Sequence, residues 1–462
     1  MSNILQTRSP IDLEVFVERS RSTEAELEGL LERASRASTP WRRTPLAERL
    51  TLLEALVQRI VGRRELLAEE LTRQMGRPIR HTPGEIDGFA FRARSMLGLA
   101  EASLAEIRQP MEEGFVRFIR REPHGICLVL SPWNYPWLTA VNAVIPALAA
   151  GNVVLLKHSE QTPLVAERIV EAGKEAGLPE GVLSYVHASH ELMARAVADP
   201  RVAYVAFTGS VEGGRAIHRA GADRFIPMGL ELGGKDPAYV RADADLERTA
   251  ENLVDGAFYN AGQSCCAIER IYVHRDIYPG FVEAFVEITG RYALGDPMRP
   301  ETTLGPLARE RGAALVQAQV QAAIAAGARA ALDPSRFPSM PSPYLAPQVL
   351  VDVDDEMELM REETFGPAIG IMAVDSDEEA IARMNASRYG LTASVWTADL
   401  ERAQAIGDEV ETGTFFLNRC DYLDPHLAWV GVKDSGMGCT LSSIGYEHLT
   451  RPKSYHLRLV PG

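Results

Sequence analysis

A chain of 462 residues is too long for one small core and predicts two or three structural units. Its composition, 46% hydrophobic and 24% charged with no biased tract, is that of an ordinary soluble globular protein. The formal charge of −15 argues against a nucleic-acid partner, which would ask for a basic face, but leaves room for a bound dinucleotide needing only local positive potential. Cys127, Cys265, Cys266, Cys420 and Cys439 are few, odd in number and irregularly spaced, which reads as reduced thiols in a cytoplasmic protein rather than a disulfide framework. The adjacent pair Cys265-Cys266 has no second Cys or His pair at zinc spacing, so no metal is expected.

The first ten residues are polar and form no secretory signal. From Ser22 to Glu106 the pattern is helical, with Leu27, Leu30 and Leu31, then Leu52, Leu53, Leu56 and Ile60, at three- and four-residue spacings. Pro40, the Gly76 to Pro78 segment and Pro83-Gly84 are expected to break this run into about three helices. Over residues 113–121 the period becomes two: Phe115, Arg117, Ile119 and Arg121 alternate with Val116, Phe118 and Arg120, as in an edge or hairpin strand. Short β-branched runs then alternate with helical segments. Strands are expected at residues 125–130, 153–157, 183–186 and 202–207, and helices at 138–150, near 165–176 and from Ser210. The apolar stretch 137–156 is interrupted by Asn142, Pro146, Gly151 and Asn152, which suits a buried helix and strand and not a membrane span. Such alternation implies right-handed crossovers and a parallel sheet covered on both faces. From Pro237 it restarts, with strands at 271–273, 393–396 and 414–417, which places a boundary near Gly234. Residues 454–460 alternate again and can pair with the 115–121 strand.

Two motifs carry the chemistry. In Gly262-Gln263-Ser264-Cys265-Cys266-Ala267 the first thiol stands among small and polar residues in a glycine-punctuated loop, where a substrate can approach a nucleophile. In Glu231-Leu232-Gly233-Gly234-Lys235 the carboxylate is flanked by Leu230 and Leu232, a setting that raises a pKa and suits a base taking a proton from water. Alone, such a cysteine is most often a small core filler and such a glutamate a solvated acid. Asn134, between Trp133 and Tyr135-Pro136, either shapes a turn or donates its amide to an oxyanion. No Gly-x-Gly-x-x-Gly follows a strand; Gly209-Ser210-x-x-x-Gly214 does, and Ser210 can cap a helix whose N-terminal amides face a pyrophosphate.

With Ser131-Pro132-Trp133-Asn134-Tyr135-Pro136-Trp137, Lys157-His158-Ser159-Glu160, Phe207-Thr208-Gly209-Ser210 and Glu362-Glu363-Thr364-Phe365-Gly366-Pro367 in this order, the chain resembles the aldehyde dehydrogenase superfamily from about residue 25 to 458. The resemblance implies an α/β fold of two Rossmann-like parallel-sheet domains plus a small β oligomerisation arm. Residues 1–111 and 125–234 would bind NAD, 235–445 would be catalytic, and 112–124 with 446–462 would be the oligomerisation strands. It implies Cys265 as nucleophile, Glu231 as base and Asn134 with the Cys265 amide as oxyanion hole. For the cofactor it implies Gly209, Ser210 and Gly214 at the phosphates and Lys157 and Glu160 at the adenosine ribose. Glu363 and Phe365 would lie at the nicotinamide ribose, with Pro132 and Trp133 lining the crevice. A glutamate at the ribose accepts its hydroxyls and repels a 2′-phosphate, which favours NAD while leaving NADP possible. His158 is expected as a turn residue.

The segment before Lys433-Asp434-Ser435-Gly436-Met437-Gly438 departs from the family pattern, with a polar Asn418-Arg419-Cys420-Asp421-Tyr422 loop. Asn142 falls near where relatives place a tunnel tryptophan. Tyr135, Asn142, Arg419 and Trp429 are therefore candidates for the substrate pocket, Arg419 either meeting a substrate carboxylate or pairing with Asp421. The expected activity is NAD-dependent oxidation of a small aldehyde through a cysteine thioester that water hydrolyses. The rivals are a CoA-acylating relative, against which Glu231 argues, and a non-catalytic dinucleotide-binding protein of the same fold. A homodimer or homotetramer is expected.

Overall fold

The computed structural model describes residues 3–459. The expected oligomerisation strand 446–462 therefore has its last three residues, Val460 among them, outside the described residues, as are the first two of the expected cofactor unit. Two parallel sheets, each covered by helices, form the body, as the alternation of β-branched runs with helical segments predicts.

The first sheet runs, in spatial order, Gly436–Met437, Met228–Glu231, Val202–Thr208, Ile126–Ser131, Val153–His158, Leu183–Tyr185, with only Gly436–Met437 antiparallel. Ile126–Ser131 and Val153–His158 are buried along their whole length, which is why they read as continuous apolar runs instead of alternating ones. The strand order reverses between Ile126–Ser131 and Val202–Thr208, whose neighbours in sequence lie on opposite sides. At such a switch point the connections leave the carboxyl ends in opposite directions and open a crevice. Ser131 to Asn134 and Thr208 to Ser210 border it.

The second sheet has the order Arg329–Ala330, Gln348–Val351, Ala368–Val374, Ile268–His274, Asp236–Val240, Thr392–Trp396, Thr414–Leu417, parallel except for its first pair. Residues 436–445, expected with this second unit, and 446–449, expected with the oligomerisation strands, fold onto the first. Gly436–Met437 pairs with Leu230 and Glu231, and Leu441, Tyr446 and Leu449 join the first core. A Cβ at Gly436 would collide with the Leu230 carbonyl, so the Lys-x-Ser-Gly segment needs its glycine to lie this close. A three-stranded antiparallel arm joins Thr450–Arg458 to Phe115–Pro123 and Ile107–Arg108. Phe118 stacks on Tyr455 with ring centroids 4.5 Å apart.

The structure departs from expectation at the N-terminal end. An antiparallel hairpin, Ile4–Arg8 with Val15–Ser20, precedes the helices. Four helices follow, Glu24–Arg43, Leu46–Val61, Arg64–Met75 and Thr82–Leu104. Pro40 lies inside the first of these and does not end it. Pro40 lacks the N–H that would bond the Arg36 carbonyl, and the last turn persists with the adjacent buried Trp41 anchored by its indole N–H donating to the Leu148 carbonyl. Pro45 and Gly62 mark the first two breaks instead. Helix His190–Ala198, capped by Ser189, was not expected. His158 is no turn residue: it ends the Val153–His158 strand, buried, with its ring held neutral (pKa pushed down to about 3 by burial). Among the described residues no helix is long and apolar enough to cross a membrane.

Candidate active site

Glu231 ends a strand of the first sheet, and Cys265 precedes the Ile268–His274 strand of the second. Both line one cavity of about 370 Å³. The Cys265 loop is built around an unusual turn, with Asn260 at φ 54°, Ala261 at φ 55° and Gly262 at φ 68°. Left-handed backbone costs a non-glycine residue free energy, and side-chain bonds hold it here. Asn260 Oδ1 accepts from Arg77 Nε at 3.0 Å, while its Nδ2 donates to the Gln263 carbonyl at 3.1 Å and the Asn134 carbonyl at 3.3 Å. Gln263 returns a bond to the Asn260 carbonyl at 3.0 Å and accepts from the Ala308 amide at 2.8 Å. A Cβ at Gly234 would collide with the Cys265 carbonyl oxygen, so the diglycine brings the Glu231 segment against the cysteine loop.

The two thiols differ. Cys265 is half-buried, and among the described residues its amide N–H meets no acceptor. Cys266 is buried, donates to Asp421 Oδ1 at 3.0 Å and lies 3.5 Å from the Ser264 hydroxyl. Interaction with the adjacent Cys265 thiol, burial and the Asp421 charge hold the Cys266 thiol well above the usual range. Asp421, also bonded to Ser264 at 3.2 Å, is pushed up to about 6, chiefly by burial.

Asn134 is buried, and its carbonyl accepts from Arg77 and Asn260. Its side-chain amide has no partner among the described residues and lines the cavity. Arg77 forms a fully buried ion pair with Glu85, and Glu85 Oε1 accepts from the Trp137 amide at 2.8 Å, capping helix Pro136–Ala150 with negative charge where the dipole favours it. Glu231 is held by the hydroxyls of Thr208, at 2.8 Å, and Thr440. Burial raises its pKa, while those hydroxyls and the charge of Arg92 pull it back.

Tyr135, Asn142 and Trp429 line the cavity. Arg419 does not: it is exposed, with its guanidinium carbon 3.4 Å from the Tyr422 ring centroid, and Asp421 turns inward to Ser264 and Cys266 instead of pairing with it. The preference of a guanidinium for an aromatic face explains this outcome, which the charge pattern alone does not reveal. Arg77, Glu85, Asn260 and Arg92 escaped the sequence reading. A signal existed for two of them: Glu85, Phe89, Arg92 and Met96 recur at helical spacing and place two charges on an apolar, core-facing side.

At the switch point, Ser210 caps helix Val211–Ala220, accepting from the Gly213 amide at 3.2 Å. A Cβ at Gly209 would lie 2.7 Å from the Phe207 ring, and one at Gly214 would lie 2.5 Å from Leu232. Trp133 meets Phe365 edge-on, with centroids 5.5 Å apart, and Arg309 lies over the Trp133 ring. Glu363 accepts from the Gly234 amide at 3.1 Å and is lifted to about 8 by burial and the neighbouring Glu269. Lys157 is buried with its ammonium unpaired among the described residues, beside Glu160, Arg309 and Arg21. An unpaired buried ammonium and a glycine-lined helix N-terminus at a switch point fit a dinucleotide carrying hydroxyls and phosphates. One expectation changes: Glu160 is gripped by Arg21, with Nη2 at 2.9 Å from both carboxylate oxygens, so its charge is largely compensated and opposes a 2′-phosphate less than a bare carboxylate would.

A family model described as "Aldehyde dehydrogenase family" matches residues 2–455. A betaine aldehyde dehydrogenase of Cereibacter sphaeroides is 37% identical over 445 residues, covering 95% of this chain and 91% of that protein. A succinate-semialdehyde dehydrogenase (NADP(+)) of Deinococcus radiodurans is 35% identical over 430 residues, covering 93% and 90%. The crystal structure of an NAD-dependent aldehyde dehydrogenase from Sinorhizobium meliloti superposes with a TM-score of 0.95 at 32% identity, covering 99% of this chain and 92% of that one.

Proposed function

This chain belongs to the aldehyde dehydrogenase family, and on that premise we propose that it oxidises an aldehyde to the carboxylic acid on Cys265, with water as the final acyl acceptor. It is an oxidoreductase acting on aldehydes, and its cofactor is NAD, with NADP also accommodated. The Cys265 thiolate adds to the carbonyl carbon, and the resulting oxyanion is taken up by the Asn134 amide and the Cys265 N–H. When bound, the nicotinamide supplies the hydride acceptor. We assign its dinucleotide to Lys157, Glu160, Gly209, Ser210 and Gly214 on one side and Pro132, Trp133, Glu363 and Phe365 on the other. The acyl group then sits on Cys265 as a thioester, and Glu231 takes a proton from the water that hydrolyses it. A carboxyl with a raised pKa is matched to that task near neutrality.

One observation carries this reading. Beside a half-buried thiol, in the cavity that Glu231 also lines, the Asn134 amide and the Cys265 N–H are both left as donors without an acceptor among the described residues. The test is the product: aldehyde with NAD and CoA should yield one carboxylic acid per NADH, and accumulation of acyl-CoA in its place would overturn the hydrolytic reading.

We read the arm as the contact between copies in a homodimer or homotetramer. Ile107, Met111, Val116, Leu457 and Leu459 are exposed on or beside it, and the outer edge of Thr450–Arg458 is unpaired among the described residues. Light scattering at micromolar concentration checks this, and a monomer would refute it. Five free thiols support placing the protein in the reducing cytoplasm.

A further inference from the structure

Arg92 is 9% exposed and lines the same cavity as Cys265 and Glu231. Its Nη1 donates to the Leu138 carbonyl at 3.1 Å and to Asn142 Oδ1 at 3.3 Å. The other edge of the guanidinium, Nε and Nη2, meets no acceptor among the described residues, and no carboxylate lies within ion-pair distance. Every nearby acid is engaged elsewhere. Glu85 is paired with Arg77, Glu231 is held by Thr208 and Thr440, and Asp421 is bonded to Ser264 and Cys266. The fourth acid of the cavity wall, Asp255, is unpaired among the described residues and lies on the more exposed side, where partial burial raises its pKa.

Glu231 and Glu85 attract this cation at longer range, but a buried guanidinium without a directly bonded counter-ion is still costly, and natural structures retain one where something else completes its bonding. The free Nε–Nη2 edge presents two parallel donors, the fork that matches a planar carboxylate. Asn142 and the Leu138 carbonyl fix the guanidinium plane, so the fork is set before a ligand arrives. We propose that Arg92 is a substrate-specificity residue and that the aldehyde this site prefers carries a carboxylate, which Arg92 binds through its Nε–Nη2 edge. This rests on the cavity being the aldehyde site described above.

The experiment compares kcat/KM for four aldehydes of matched chain length, ended by a carboxylate, a phosphate, a methyl group and an ammonium, in the wild type, Arg92→Gln and Arg92→Lys. The wild type should prefer the carboxylate-ended aldehyde to the methyl-ended one by roughly 10- to 100-fold, the range of a charge-assisted bidentate bond. Arg92→Gln should collapse that ratio towards one, and Arg92→Lys, which keeps the charge and loses the fork, should restore only part of it. A wild-type preference for the ammonium or methyl end overturns the proposal. So does a phosphate end outperforming the carboxylate, or a ratio that Arg92→Gln leaves unchanged. The wild-type ratios need no variant to fold. Cys265-dependent oxidation of the methyl-ended aldehyde without a carboxylate preference would sink this inference alone, whereas no oxidation of any of the four would sink the underlying reading.

Discussion

Lys235 and Arg92 are both buried basic side chains, and their surroundings could hardly differ more. Lys235 donates to Glu269 at 2.6 Å and to the Thr364 hydroxyl at 3.0 Å, and Glu269 also accepts from the amides of Thr364 and Phe365 at 2.8 and 3.0 Å. That cluster ties the segment after Glu231 to the segment bearing Glu363, and it leaves neither buried charge unpaired. The cavity wall keeps an open guanidinium edge on Arg92, an open amide on Asn134 and an open N–H on Cys265. Buried polar groups are normally satisfied, so the scaffold shows what stability requires and the wall shows where a ligand is expected to complete the bonding.

The contrast can be broken from either side. The largest effect should come from the wall. Cys265→Ala should lower turnover by at least about 10⁴-fold, as removal of a nucleophile does, while Cys266→Ala keeps most of it. Steady-state NADH formation measures both, and an inactive Cys266→Ala beside an active Cys265→Ala would reverse the assignment. On the scaffold side, Lys235→Met strands the Glu269 carboxylate, which costs on the order of 3–5 kcal/mol. A thermal melt should show Tm falling by several degrees, whereas Cys265→Ala should leave it nearly unmoved. If the Lys235 variant melts like the wild type, the cluster is not the structural element described here. Asn134→Ala sharpens the comparison with a smaller effect. It removes one oxyanion donor, so kcat should fall by roughly 10²- to 10³-fold with KM and Tm little changed, and a loss confined to KM would mean that Asn134 only positions substrate.

Much of this was legible in the sequence, for identifiable reasons. Four strands of the first sheet announce themselves as apolar runs between helical segments, and their order is restricted by right-handed crossovers, whereas the short Met228–Glu231 and Gly436–Met437 carry no such run. The Cys265 and Glu231 motifs carry glycines whose need becomes plain only in three dimensions, where the Gly234 backbone passes beside the Cys265 carbonyl. Long-range charge pairing was not legible. Arg77 bonds Asn260 far along the chain, and no local pattern reports that contact. Pro40 misled because a proline rule applied by position ignores that a buried Trp41 can hold the last helical turn in place. The hairpin over Ile4–Arg8 and Val15–Ser20 is short and largely exposed, so its apolar signal is weak.

The central claim is that Cys265 carries the acyl group and that Glu231 governs its release to water. Glu231→Gln should therefore form NADH in a burst of about one equivalent per site and then stall, because hydride transfer precedes the step that needs the base. Quenching at the end of the burst and weighing the peptides by mass spectrometry should place the acyl mass on Cys265. An acyl group on Cys266, or the loss of both burst and adduct, would contradict the account.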